Sequence, residues 1–168
     1  LSKHPGAKSR LRIAEAGDDE AVTRLINAAF RVEEFFLAGD RIQIGEVRDR
    51  LSKGRFILAE QDSVIIGCVY VEPSGERAYL GLLSVEPALQ RSGIGKLLTD
   101  AAEEHCRCLG CRFMDLRVVN LRTELPPFYR KLGYVQTGAM PFPHEVRIII
   151  PCHLLIMSKP LIPPEIQP

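Results

Sequence analysis

Two neighbouring runs, Leu82-Leu83-Ser84-Val85-Glu86-Pro87 and Gln90-Arg91-Ser92-Gly93-Ile94-Gly95-Lys96, decide how this chain folds. The first reads as the end of an apolar strand. The second opens a long helix that turns Ile94, Leu97, Leu98, Ala101 and Ala102 inward and Lys96, Asp100, Glu103 and Glu104 outward. A helix N terminus offers unpaired amide hydrogens and the positive end of the backbone dipole. Two glycines let an anion reach that backbone without meeting a Cβ. With Arg91 and Lys96 beside it, the turn reads as a phosphate cradle, while a glycine-rich helix start with no ligand is the plain alternative. Two nucleotide motifs fail here. A P-loop needs a Gly where this chain has Gln90 and a Ser or Thr where it has Leu97, and a dinucleotide fingerprint needs a third Gly at Leu98.

Upstream, Arg55 to Glu60, Val64 to Val71 and Ala78 to Val85 have strand character and are separated by Gln61-Asp62-Ser63 and Pro73-Ser74-Gly75-Glu76. Such short connections predict consecutive antiparallel pairing. The third run is apolar on both faces, which places it centrally in a covered sheet, and its Gly81 marks a bulge or a close backbone approach. Before these lie an edge strand at Leu11 to Ala14 and a helix with Val22, Leu25, Ile26, Ala29 and Phe30 on one face, capped by Asp18 or Asp19. A short helix carrying Ile44, Val47 and Leu51 follows.

Downstream, the helix from Gly93 ends near Gly110 and a strand covers Arg112 to Val119. A strand-helix-strand unit of this length predicts parallel pairing with a right-handed crossover. A short helix at Pro127 to Leu132 and strands at Tyr134 to Thr137 and Cys152 to Met157 complete the pattern, with a proline-rich loop from Pro141 to Pro151. The fold class is α+β: a mixed, mainly antiparallel central sheet with a parallel pair in the middle and helices on both faces. One domain spans residues 1–168, with 1–10 and 160–168 as tails.

The 168 residues are 46% hydrophobic and 26% charged. A chain of this length buries about 70% of its unfolded surface and needs neither disulfides nor a structural metal. With 22 Lys+Arg against 21 Asp+Glu, the net charge of +1 gives no global attraction for nucleic acid or an anionic membrane. No apolar segment is long enough for a membrane span, and the polar, basic start does not read as a secretory signal. Five cysteines, three of them at 106, 108 and 111, do not suggest a bridged scaffold. A cytoplasmic protein is the expectation. His105, Cys106, Cys108 and Cys111 are metal-binding types but lack spaced ligand pairs, so free thiols and no metal are expected.

The two runs quoted first, together with Phe128-Tyr129-Arg130-Lys131-Leu132-Gly133-Tyr134, resemble the GNAT superfamily of acyl-CoA-dependent N-acetyltransferases. The order of elements agrees along nearly the whole chain. The resemblance implies an acetyl-CoA cosubstrate whose pyrophosphate sits on the turn from Gln90 through Arg91, Ser92, Gly93, Ile94 and Gly95 to Lys96. Its pantetheine arm then pairs with the backbone of Leu83, Ser84 and Val85, and an amide near Leu83 polarises the thioester carbonyl.

The resemblance also implies roles for three further residues. Tyr129 matches the family's general acid. The other reading, a Tyr packed over the sheet beside Phe128 and Tyr134, stays open. Asn120 matches an Asn that relatives use near the cofactor arm, with a strand-end cap as the other reading; the spacing to Tyr129 is nine residues where many relatives have seven, and Pro126-Pro127 lie in the gap. For the base, relatives use a carboxylate on the central strand, where this chain has Tyr79, or on the parallel strand, where it has Asp115. Asp115 is the candidate, with a salt bridge near Arg117 or a water relay from another carboxylate as alternatives.

The implied activity is acetyl transfer to a primary amine of a small molecule or peptide by direct attack in a ternary complex, since no cysteine falls where a nucleophile would meet the thioester. A non-catalytic acyl-CoA-binding module and a structural protein sharing the fold are the rivals. Glu33, Glu34 and Asp40 fall where relatives contact the acceptor and suggest a cationic amine, or else a solvated acidic face. His144, Glu145 and His153 fall near the last loop. Similar proteins are often homodimers.

Overall fold

A computed structural model describes residues 8–143 and 146–162. Seven strands form one sheet in the order β1-β2-β3-β4-β5-β7-β6. They are β1 (Arg10–Ile13), β2 (Arg55–Gln61), β3 (Val64–Ser74), β4 (Arg77–Val85), β5 (Phe113–Val119), β6 (Val135–Pro141) and β7 (His153–Pro160). Four α-helices are described: α1 (Asp19–Ala29), α2 (Ile44–Lys53), α3 (Ile94–Cys108) and α4 (Leu125–Lys131). All pairings between these strands are antiparallel except β4 with β5.

Side chains alternate across each strand, so the central strands feed two cores. Ile57, Ala59, Val69 and Val71 turn toward Ile94, Leu98, Ala102 and Cys106 of α3 and Tyr129 of α4. Phe56, Leu58, Cys68 and Tyr70 turn the other way, toward Val22, Leu25 and Ile26 of α1 and Val47 of α2. The sheet is thus covered on both faces, and β4 lies at its centre, as the apolar run predicted.

Both hairpins use two-residue turns. Asp62 and Ser63 take φ of 50° and 63°, and Gly75 takes 62°, left-handed values that match the twist of the flanking strands. The expected four-residue turn at Pro73 is therefore shorter, because Pro73 and Ser74 stay in β3 opposite Ala78 and Arg77. Residues 160 and 161 are not tail: Pro160 ends β7, and Leu161 is buried, its N–H donating to the Arg112 carbonyl at 2.8 Å. Residue 10 likewise belongs to β1. Asp18 does not cap α1 with its side chain; its carboxylate accepts the Glu15 N–H and pairs with Arg12 at 2.7 Å. Asp19 accepts the Glu20 N–H in the first turn of α1 at 2.8 Å.

The feature that positions the site is where β4 and β5 part. Their parallel register runs only from Arg77↔Phe113 to Tyr79↔Asp115. Beyond it, Leu80 to Val85 and Leu116 to Val119 have no ladder between them, and the backbone of that side of β4 is open to a ligand. A bulge adds to the distortion: Cys68 pairs with Ser84 and Tyr70 with Gly81, so Leu82 and Leu83 face only Val69. Leu82 has φ 53°, and its carbonyl accepts the Ser84 hydroxyl at 2.9 Å. Gly81 is the close approach. A Cβ there would lie 2.6 Å from Tyr79 Oη, so only glycine lets the Tyr79 ring lie against the strand.

Candidate active site

A cavity of about 1160 Å³ fills the gap between the parted strands. Because the gap passes through the sheet, the cavity has two halves. One lies at the start of α3 beside α4. The other lies on the α1 side, under residues 28–41 and the start of β7.

The first half is made chiefly of backbone. Gly93 is the N-cap residue of α3 with φ 88°, and Arg91 also stands at a left-handed φ of 64°. Alternating handedness of this kind makes an anion-binding concavity of successive amides. No side chain caps the helix, so the first-turn amides keep no helical acceptor. Gly95 faces Phe128 Cζ at 3.6 Å from where a Cβ would stand. Gln90 donates back to the Val85 carbonyl at 3.4 Å, tying the turn to the end of β4. Lys96 leans along the helix to Asp100 at 2.6 Å, an exposed pair.

Tyr129 lines the cavity from the α3 face, near enough to Tyr79 and Arg122 for both to act on its phenol. It is 5% exposed and packs edge-on against Phe128 and Tyr134, with ring centroids 5.0 and 5.7 Å away. Pro126 at the start of α4 sets that helix going where no backbone N–H is required. Burial pushes the Tyr129 phenol above its ordinary value, with Tyr79 adding to the rise and Arg122 opposing it. It is therefore protonated at neutral pH.

The second half is made of side chains from distant segments. Glu33, in the 3-10 turn Phe30–Glu33 after α1, is 7% exposed and pairs with Arg122 at 3.0 Å. Burial raises its carboxyl above the usual range, against the pull of Arg122 and Arg41. Arg122 also holds Glu124 at 2.6 Å. The loop carrying Glu33 is fastened to the β6–β7 connection: Leu37 bridges Ile148, and the Ile149 N–H donates to the Phe36 carbonyl at 2.8 Å.

The cavity therefore brings together Leu83, Val85, Gln90, Arg91, Gly93, Ile94, Gly95, Lys96 and Tyr129. Ser84 and Ser92 do not line it: the first holds the bulge, and the second donates to the Leu89 carbonyl.

Asp115 does not line it either. It lies at the last paired position of β5, where Arg77 takes its carboxylate through two contacts of 2.6 Å and the Ser158 hydroxyl donates to it. Arg77 in particular holds that carboxyl below its ordinary value. Asp115 thus stands in a strand ion pair with Arg77, with Arg117 also near enough to pull its carboxyl down, which favours the salt-bridge alternative over the role of base.

Asn120 is also outside the cavity. It bridges to His153, its Oδ1 accepting the His153 N–H at 2.9 Å and its own N–H donating to the His153 carbonyl at 3.0 Å, contacts that suit the strand-end reading. Of the acidic residues expected near an acceptor, Glu33 lines the cavity and Glu34 and Asp40 do not. His144 and Glu145 lie outside the described residues.

No cysteine lines the cavity among the described residues. Cys68, Cys106 and Cys111 are buried and Cys108 is exposed, all with free thiols; burial pushes Cys68 and Cys106 up to about 12. No group of three or more His, Cys, Asp or Glu is arranged to hold a metal among the described residues. No helix among them is long and apolar enough to cross a membrane.

The chain belongs to the acetyltransferase (GNAT) family, whose model matches residues 20–134. Solved structures agree in fold. The Escherichia coli N-acetyltransferase acting on an alanine of a ribosomal protein superposes with a TM-score of 0.74 at 16% identity, covering 96% of this chain and 99% of that one. Nourseothricin acetyltransferase gives 0.72 at 22% identity over 92% and 99%. The Salmonella typhimurium protein yncA, solved with its cofactor acetyl-CoA, gives 0.71 at 18% over 94% and 95%. No curated protein matches the sequence. Family membership makes the protein an acetyltransferase with acetyl-CoA as donor. The uncapped α3 start and the unpaired side of β4 suit that donor's pyrophosphate and its amide-bearing arm.

Proposed function

We propose that this protein transfers the acetyl group of acetyl-CoA to a primary amine by direct attack in a ternary complex, with Tyr129 as general acid and Glu33 as general base. The observation that carries it is one cavity lined by an anion cradle, a buried carboxylate and the buried phenol of Tyr129. Acetyl-CoA supplies an activated thioester carbon when bound. Gln90, Arg91 and the residues from Gly93 to Lys96 hold its pyrophosphate, and Leu83 and Val85 receive its amides as an added strand.

An amine of ordinary pKa about 10.4 arrives mostly as ammonium. Glu33, its basicity raised by burial, accepts a proton from it. The C–N bond forms as the C–S bond breaks, and Tyr129 protonates the departing sulfur. The second proton lost by the nitrogen restores Tyr129, so the products are an amide, a thiol and one proton released to solvent. Catalysis without a covalent acetyl-enzyme is supported by the absence of a cysteine along the cavity among the described residues. Amine acceptors as different as a ribosomal-protein alanine and nourseothricin, named for the structural neighbours, fit this scheme.

The test is a turnover screen over amine classes, read by thiol release and by the mass of the product. Amine-dependent release with an N-acetylated product is expected. A thermal shift with acetyl-CoA but no release for any amine supports the acyl-CoA-binding module instead.

A further inference from the structure

The acceptor half of the cavity is not the anionic pocket that a cationic amine would favour. Four arginines line it, Arg31, Arg41, Arg117 and Arg122, against two carboxylates, Glu33 and Glu124. Arg122 takes both carboxylates, at 3.0 and 2.6 Å. Arg41 and Arg117 have no ion pair among the described residues. Each is instead laid over an aromatic ring, the Arg41 Cζ 5.2 Å from the Phe30 centroid and the Arg117 Cζ 5.4 Å from that of Tyr79. Tyr79 in turn lies against Gly81, where a Cβ would collide with it. Gly81, Tyr79 and Arg117 thus stand one against the next at the cavity wall.

A guanidinium stacked on a ring keeps its N–H edge available, and that edge matches a carboxylate through two parallel bonds. The carboxylates that sense these two arginines, Asp115 and Glu33, are already engaged, by Arg77 and by Arg122. An acceptor bearing only an ammonium would enter a half that is already net positive, whereas an acid group on the same molecule answers the excess.

Resting on the transferase reading above, we propose that the acceptor is an amino acid or close analogue, its acid group held by Arg117 and Arg41 and its amine presented to Glu33. Leu37, Phe142 and Leu154 supply apolar wall in the same cavity, which suits an apolar side chain. The cationic acceptor expected from Glu33, Glu34 and Asp40 is replaced, since only Glu33 reaches the cavity.

The experiment measures kcat/KM for leucine, methionine and phenylalanine, each against its own carboxamide, by thiol release from acetyl-CoA. At least one free acid should exceed its amide by about tenfold or more, the loss expected when a charged partner is left without its bond. In Arg117→Gln that acid-to-amide ratio should fall toward one, chiefly through KM for the acid, while Arg117→Lys retains part of it. Amides equal to or better than the acids, or a ratio unmoved in Arg117→Gln, overturn the inference. So does turnover of other amine classes with none of the acids acetylated, and in these cases the transferase reading stands. Absence of thiol release with every amine overturns both.

Discussion

The two halves of the cavity are built by opposite means. On the donor side, one continuous stretch from Leu82 to Lys96 supplies a bulge, a pair of left-handed residues and an uncapped helix start, and the groups it offers to a ligand are backbone amides. On the acceptor side, Glu33 and Arg122 meet across 89 positions of sequence, and the chemistry belongs to side chains held by loops. A backbone site depends on local conformation and tolerates a variable sequence around a few glycines. A side-chain site depends on tertiary placement, and changing one residue changes its chemistry.

This contrast orders the expected effects. Tyr129 serves both halves, so Tyr129→Phe should lower kcat by about a hundred- to a thousandfold while leaving acetyl-CoA binding intact, measured by steady-state kinetics beside calorimetric binding. Normal turnover by that variant removes the general acid from the account.

Glu33→Gln tests the acceptor half alone. It should cost about ten- to a hundredfold in kcat. The group must be ionised to act and its carboxyl is raised by burial, so the wild-type rate should fall, as pH drops, through a value above the ordinary 4.5. That acid limb should vanish in the variant. A limb that persists places the base elsewhere.

Gly93→Val tests the donor half alone. At φ 88° a β-branched residue is strained, so acetyl-CoA should bind about tenfold more weakly, with little change in the acceptor KM. Gly81→Ala reaches both halves through the fold: its Cβ must push the Tyr79 ring aside, for a stability loss of about 1–3 kcal/mol read by denaturant unfolding.

The smallest effect belongs to Asp115→Asn, which should leave kcat within about twofold, since Asp115 lies off the cavity. Its signature is in stability. The pair with Arg77 lowers the folded-state value below 3.8, so its contribution is full above that pH and is lost as pH falls through the lower value. The variant's disadvantage in acid unfolding should shrink accordingly.

The same contrast explains what could be read in the sequence. Period-two alternation and short turns are local, so the antiparallel run from β2 to β4 and the central place of β4 were legible, as was the glycine-rich start of α3. Gly81 was legible as an irregularity, though the bulge itself falls on Leu82 and Leu83. What the alternation of β5 does not reveal is how far β4 and β5 stay paired. Asp115 sits at the last paired position and Arg117 beyond it, so the strand's acidic residue is spent on the sheet and its arginine reaches the cavity. Glu33 stood out only as one of three acidic residues, because its burial depends on Arg122 far along the chain. Asn120 was ambiguous for the same reason: its partner, His153, belongs to β7.

The most direct measurement is a single-turnover mixing of the protein with acetyl-CoA, first alone and then with an accepted amine, following thiol release and the intact mass of the protein. Direct transfer through the sheet predicts no thiol and no change of protein mass until the amine is added, then thiol and acetylated amine in equal amounts. Thiol released without amine, together with an acetylated protein that passes its acetyl group on, would contradict it.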